Sequence, residues 1–357
     1  MPAKKLLQRP AVMLALALCS VGGLVTLMGR LATGPQVAQK KSQISTGDAS
    51  EAYPAISPDG KRVAYSARES SKVSAFHIFV RDLPEGKPLQ LTKSEASDVA
   101  PVWAPDGGTL AFLRVDEGAT QAIVIPADGG AERKIADLGP ASDAAQPLPG
   151  ISWNPDAKSL VVVQSAPKQL PGLAILMLDS GKLQRITNPT EGEGDSSPAV
   201  SPSGSAIAFV RHTQNSGADV YLCDANGQNP RRLTFDDRGI RGLAWTRDGQ
   251  DILYSGNRIG NWRLWRVAAY GGSPRDLAIS GRQAYYPSIA KNRLAYTDSP
   301  TVSAIWRATL STEEKVEERP VIRSTGRELN PVWSPDGARI ANVSDQTGSD
   351  EIFVCDA

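Results

Sequence analysis

Four acidic residues recur at one place in a repeated sequence. Glu51, Asp98, Asp195 and Glu328 each stand seven residues before the anchor of a Ser-Pro-Asp-Gly-type turn, and Arg241 and Tyr285 lie beside the same column. Carboxylates gathered around a low-dielectric opening would focus negative potential and attract a cation or a basic ligand segment. Arg241 and Tyr285 would add contrary and stacking contacts. The competing reading is that each acid only bonds nearby loop N–H groups as an Asx-type turn. Other residue types offer less chemistry. A serine triad needs a histidine base, and the chain has only His77 and His212, in different repeats. No G-x-S-x-G elbow, calcium loop, phosphate-binding glycine loop or metal-ligand spacing occurs. The acidic GEGD at 192–195 reads as a solvated turn before it reads as a calcium site. The expectation is therefore a chain with no catalytic residues, metal or cofactor, so not an enzyme. The alternative is an extracytoplasmic hydrolase or lyase with a carboxylate-based metal site.

The repeat that carries these residues is the architecture. The turn proline recurs at Pro58, Pro105, Pro155, Pro202 and Pro335, with Arg247 and Lys291 in its place in two further copies. The spacings are 47, 50, 47, 45, 44 and 44 residues. Each unit has an apolar strand before the turn and a second strand after it, such as RVAYS or TLAFL. A third such as HIFVR or DVYLC follows, then a short fourth such as PLQLT or PRRLT. Runs rich in β-branched and aromatic residues between Pro, Gly and Asp turns are strands. Four such strands repeating every ~40–50 residues are the sequence form of propeller blades. The prediction is an all-β, seven-bladed β-propeller of four-stranded blades over residues 42–357, preceded by one N-terminal transmembrane helix. Six of the seven tryptophans fall in the first- and third-strand columns and read as blade-to-blade packing; Trp262 falls outside.

Residues 43–59, QISTGDASEAYPAISPD, align without a gap to 90–106, QLTKSEASDVAPVWAPD. Strand 42–46 is thus expected to close the ring against 351–355, which removes two exposed sheet edges. The alternative is an open ring in a fragment of a longer array. Cys223 and Cys355 occupy equivalent places three units apart, too far for a disulfide, and are expected to be free.

Charge divides the chain. Residues 1–41 carry +6 and no acid; the remainder carries −5, a poor match to nucleic acid. Residues 1–10 read as a short basic terminus, 11–30 as a transmembrane anchor or signal segment, and 31–41 as a linker. The uncharged run 11–29 is 19 residues long, which as a helix spans roughly 28 Å, close to a bilayer core. It points to an uncleaved anchor in the bacterial inner membrane with the body in the periplasm. The alternative is a secreted or periplasmic chain after signal cleavage.

The SPDG turn and the trailing R-R-L-T make the units similar to the WD-like repeats of TolB-type β-propellers, across residues 43–357. The stretch RRLTFDDRGIRGLAWTRDGQDILYSGNRIGNWRLWRVAAYGGSPRDLA resembles the periplasmic propellers of acidobacterial membrane-bound winged-helix regulators. Only ten residues precede the apolar run, so the DNA-binding domain of that family is not seen here. The resemblance implies a propeller fold, an extracytoplasmic setting and a binding role. The expected function is a non-catalytic, membrane-anchored module that binds a protein or peptide at the propeller face, through Glu51, Asp98, Asp195, Glu328, Arg241 and Tyr285. The sensor part of a transmembrane transcriptional regulator is a further alternative.

Overall fold

Each Ser-Pro-Asp-Gly turn closes a hairpin by local hydrogen bonds. Ser57 Oγ donates to Asp59 Oδ1 at 2.6 Å, the Lys61 N–H donates to the same oxygen at 3.0 Å, and the Arg62 N–H donates to Ser57 Oγ at 2.9 Å. Gly60 takes φ +74°, a conformation that only glycine enters without steric cost. The turns at Ser334 and Thr246 repeat the pattern through Asp336 and Asp248. These aspartates are hinges between first and second strands.

The computed structural model describes residue 44 and residues 50–68, 75–140, 150–190, 194–213, 217–279, 283–298, 303–309, 317–324, 328–344 and 351–356. The compact unit is Gly47–Ala357. Its strands form antiparallel sheets in sequence order. The first sheet holds β1 (Ser50–Ile56), β2 (Arg62–Arg68), β3 (His77–Asp82) and β4 (Leu89–Gln90). The second holds β5 (Ser97–Trp103), β6 (Thr109–Asp116), β7 (Ala119–Pro126) and β8 (Arg133–Pro140). The third holds β9 (Ile151–Trp153), β10 (Ser159–Ala166), β11 (Gln169–Met177) and β12 (Leu183–Arg185). The fourth holds β13 (Gly194–Val200), β14 (Ala206–His212), β15 (Ala218–Asp224) and β16 (Arg231–Arg232). The fifth holds β17 (Ile240–Trp245), β18 (Asp251–Ile259), β19 (Asn261–Ala268) and β20 (Arg275–Asp276). The sixth repeat gives two pairs, β21 (Ala284–Ala290) with β22 (Arg293–Asp298) and β23 (Ser303–Thr309) with β24 (Glu317–Ser324). The seventh gives β25 (Glu328–Trp333), β26 (Arg339–Ser344) and β27 (Glu351–Asp356).

The first strands of six repeats line a central channel, and most first strands carry a bulge. Pairing registers shift in β1, β5, β13, β17, β21 and β25. At each shift stands a residue with positive φ: Tyr53, Ala100, Ser197, Gly242, Tyr286 and Asn330. All but Gly242 precede a proline. Proline has no N–H for a ladder and settles at edge strands and bulges, and these strands are the inner edges of their sheets. A bulge re-aims the side chains beside it, here toward the channel.

Adjacent blades are joined by one repeated contact. Trp103 Nε1–H donates to the Ala55 carbonyl at 2.8 Å, Trp153 to Val102 at 3.1 Å and Trp245 to Ala199 at 2.8 Å. Between the third and fourth blades the Val200 N–H donates to Ser152 Oγ at 3.1 Å. The same geometry joins the sixth repeat to the first, where the Ile56 N–H donates to Ser288 Oγ at 3.0 Å. The turn glycines agree: Gly107, Gly204 and Gly249 face Pro58, Pro155 and Pro202 of the preceding unit, and Gly60 faces Lys291 of the sixth. β1 packs directly on β21 and β22.

Among the described residues six inner strands line the channel, where seven were expected. β25 contacts β23 and contributes no residue to the channel lining. Its Val332 and Trp333 are exposed, as are Ile352 and Val354 of β27. The repeat count gives the number of units, while closure is set by how tightly each blade turns on the last. Strand 42–46, apart from Ile44, and segments 1–10, 11–30 and 31–41 lie outside the described residues. No described helix is long and apolar enough to cross a membrane.

Candidate functional site

The acidic column does not form an open ring of charge. Asp98 on β5 is buried and accepts two hydrogen bonds from Arg114 on β6, from Nε at 2.7 Å and Nη2 at 2.9 Å. Arg114 also meets Glu132 at 2.8 Å. The hydrogen bond from Asp98 leads the causes that hold its guanidinium above the ordinary range. Asp195 on β13 is equally buried and accepts from Arg211 Nε at 2.7 Å, from Arg211 Nη2 at 2.9 Å and from Thr187 Oγ1 at 2.7 Å. Burial pulls the Arg211 guanidinium down, but the bond to Asp195 and its charge carry it above the usual value. The GEGD segment thus ends in a strand residue locked to arginine.

The other two acids sit apart. Glu328 on β25 accepts from Ser344 Oγ at 2.8 Å and from Asn342. Glu51 on β1 is partly buried, and burial raises its carboxyl against the opposing charge of Arg81. The geometry makes Asp98 and Asp195 cross-strand ion pairs rather than Asx turns. Asp219 on β15, which the sequence did not single out, is a further buried acid. It accepts from Thr234 Oγ1 at 2.7 Å, from Arg232 at 2.5 Å and from the Asp236 N–H at 3.0 Å. It stands in a third strand, outside the repeated acidic column.

Arg241 and Tyr285 do come together, and Trp262 joins them. The Arg241 guanidinium carbon lies 4.7 Å from the Trp262 ring centre and 5.0 Å from that of Tyr285. The two rings are 5.3 Å apart and inclined by 53°. A cation placed against an aromatic ring gains about 0.5–2 kcal/mol, more as water is excluded. Arg241 and Tyr285 lie near the starts of β17 and β21, and Trp262 near the start of β19, so all three belong to the face where inner strands begin. Gly239 makes room, since a Cβ there would meet Trp262 Cη2 at 2.7 Å. Trp262 could have been found in the sequence as the tryptophan that fits neither packing column.

The channel holds a cavity of about 500 Å³, whose lining includes Gly242 and Tyr286, the chain neighbours of Arg241 and Tyr285. Its walls are mainly proline and apolar side chains of the six inner strands. Tyr53 and Tyr286 stand at the first bulge level with ring centres 4.2 Å apart, opposite the smaller Ala100, Ser197 and Gly242. Burial raises both phenols, Tyr53 well above the normal range, while the Arg241 charge draws them down. Ser197 Oγ is buried in this lining with no hydrogen-bond partner among the described residues.

The histidines are not brought together. His77 is on β3; His212 ends β14, with Nε2 2.7 Å from Ser196 Oγ. Both Asp195 oxygens already accept from Arg211, and one also from Thr187. Among the described residues no group of three or more His, Cys, Asp or Glu could hold a metal ion. Cys223 and Cys355 are free, Cys223 buried.

A family model described as the TolB beta propeller domain matches residues 35–209 and 141–299. The chain belongs to this family. The solved structure of a protein assigned as TolB from Agrobacterium tumefaciens superposes with a TM-score of 0.54 at 18% identity, over 66% of this chain and 82% of that one. At that identity the likeness concerns the TolB fold. An uncharacterized protein, Atu1656, of Agrobacterium fabrum is 27% identical over 56% of this chain and 67% of its own length. An uncharacterized peptidase, YuxL, of Bacillus subtilis is 26% identical over 57% of this chain, which spans 29% of YuxL. This last match corrects the expectation of a chain that is not an enzyme. TolB-type propeller sequence of this kind occurs in a protein named as a peptidase, so missing catalytic motifs do not separate this propeller from enzymes.

Proposed function

We propose that this TolB-type propeller is a membrane-anchored extracytoplasmic module that binds a peptide or protein segment at its channel face. The observation that carries this reading is the channel itself. It offers an apolar, proline-rich wall, a bulge level that turns Tyr53, Ser197 and Tyr286 toward the lumen, and the Trp262–Arg241–Tyr285 platform beside the channel-lining strands. Pockets that are concave, mostly apolar and furnished with a few polar groups are the usual form of binding sites. Aromatic residues and arginine are the side chains that anchor protein interfaces. Membership of the TolB propeller family supports the periplasmic setting, and the apolar run 11–29 supports the anchor.

The acids of the repeat column have a different place in this reading. Asp98 and Asp195 hold strands together, and the ligand meets aromatic, proline and arginine side chains instead. The test is panning of a displayed peptide library on the full chain, followed by hydroxyl-radical footprinting with the selected peptides. Protection of Tyr53, Trp262 and Tyr286 is expected. Protection confined to the outer strands would overturn the channel reading.

A further inference from the structure

Arg241 places a positive charge beside the acidic column. Arg114, Arg211, Arg232 and Arg258 all meet carboxylates. Arg241 makes no ion pair or hydrogen bond among the described residues; its contacts there are the faces of Trp262 and Tyr285. With ring centres 4.7 and 5.0 Å from the guanidinium carbon and 5.3 Å from each other, both rings lie to one side of it, and its N–H edges have no acceptor among the described residues. Those edges form a rigid fork of donors that matches a carboxylate bidentately. Asp98 and Asp195, two of the buried acids of the same column, are already neutralised by their own arginines.

We infer that Arg241, held against Trp262 and Tyr285 beside the channel-lining strands, is a receptor for a carboxylate carried by the bound peptide segment. The assignment rests on the peptide reading of the channel and adds the chemistry of its ligand. A C-terminal carboxylate and an acidic side chain present the same group. The lining favours a peptide over an acidic saccharide. Ser152 and Ser288 already accept backbone N–H groups of neighbouring blades, which leaves few hydroxyls for a sugar. Proline and apolar side chains supply most of the remaining wall.

Partial removal of Arg241 from water strengthens the site. A hydrogen bond to a charged group contributes about 1.5–3 kcal/mol, equivalent to a tenfold or greater change in affinity. The aromatic contact also holds the guanidinium before the ligand arrives, which lowers the ordering cost of binding.

The experiment uses an acetylated proline-alanine hexapeptide in three forms: with a free C-terminal carboxylate, as the C-terminal amide, and as the amide with one internal Glu. An acidic disaccharide is the fourth probe. Binding to the full chain is followed by calorimetry, and the Arg241 Nε–H resonance, assigned by its loss in Arg241→Gln, is followed by NMR. Both carboxylate peptides should shift that resonance and bind about tenfold or more tightly than the amide. Arg241→Gln should erase the difference while weak amide binding persists. Arg241→Lys, which keeps charge without the planar fork, should fall between. Equal affinity for amide and carboxylate peptides in the wild type overturns the inference and leaves the channel reading intact. Carboxylate binding at Arg241 with no amide binding supports the inference and counts against the apolar channel. If the disaccharide alone shifts Arg241, the peptide assignment is overturned. If no carboxylate shifts it, the site is overturned outright.

Discussion

Replacing Asp195 by alanine is expected to cost stability and leave ligand capture at the channel unchanged. The side chain is fully buried, and the Arg211 side chain it holds is 24% exposed. Breaking a buried ion pair by removing one partner costs about 3–5 kcal/mol, because a charge is left without compensation. Arg211 can recover some hydration through its exposed part, so the lower end applies, about 3 kcal/mol. Thr187 Oγ1 accepts from the Leu173 N–H at 2.8 Å and donates to Asp195, so its proton loses its acceptor as well. That adds about 1 kcal/mol. Urea unfolding of Asp195→Ala should therefore show a loss of about 4 kcal/mol that changes little between low and high salt, since buried pairs are weakly screened. Arg211→Met should be at least as damaging, because it strands a carboxylate with no exposure of its own. The double replacement Asp195→Leu with Arg211→Met should recover part of the loss, since a packed apolar pair often equals an ion pair. A cost for Asp195→Ala below about 1 kcal/mol, the value of an exposed pair, would refute the reasoning. The carboxylate would then be hydrated and free for a ligand.

Other outcomes follow from separate contacts. Gly239→Ala should push Trp262 off Arg241, weaken carboxylate binding and raise the exposure of Trp262 to a soluble fluorescence quencher. Burial pushes the Cys223 thiol up to about 12, with the charges of Asp195 and Asp224 adding to it. Peptide mapping after alkylation at pH 8 should therefore find Cys223 unlabelled in the native chain and labelled in urea. Glu51 has a raised folded pKa, so its contribution is complete below the unfolded value and is lost as pH rises through the folded one. The stability advantage of Glu51→Gln over wild type, read from thermal unfolding, should accordingly grow between pH 4 and pH 7.

Most of the strand framework was legible because the repeat carries it in local chemistry. The turn residues Ser57, Asp59 and Gly60 act within five residues of one another, so a single sequence contains the whole interaction. The bulge level went unread, although the pairs Tyr53-Pro54, Ala100-Pro101, Ser197-Pro198 and Tyr286-Pro287 carry it in the sequence. Two other things were not legible. The acids Asp98 and Asp195 read as free charge because their arginines lie 16 residues away on the next strand. Only the register reveals Arg114 and Arg211 as their partners. The number of blades around the channel depends on Tyr53 meeting Tyr286, Ile56 meeting Ser288 and Gly60 meeting Lys291 across most of the chain, and repeat counting has no access to those contacts.

The junction between β1 and β21 gives the ring a mechanical character. Elsewhere around the channel the polypeptide runs from one sheet into the next, so those blades are tethered covalently. Here the chain has already moved on toward β23, and no strand is shared between the two sheets among the described residues. Tyr53 against Tyr286, Ile56 against Ser288 and Gly60 against Lys291 hold the gap. The propeller is in this sense a split washer. Outward strain on the channel is relieved first at that slit, and the bore can widen there without breaking any strand ladder.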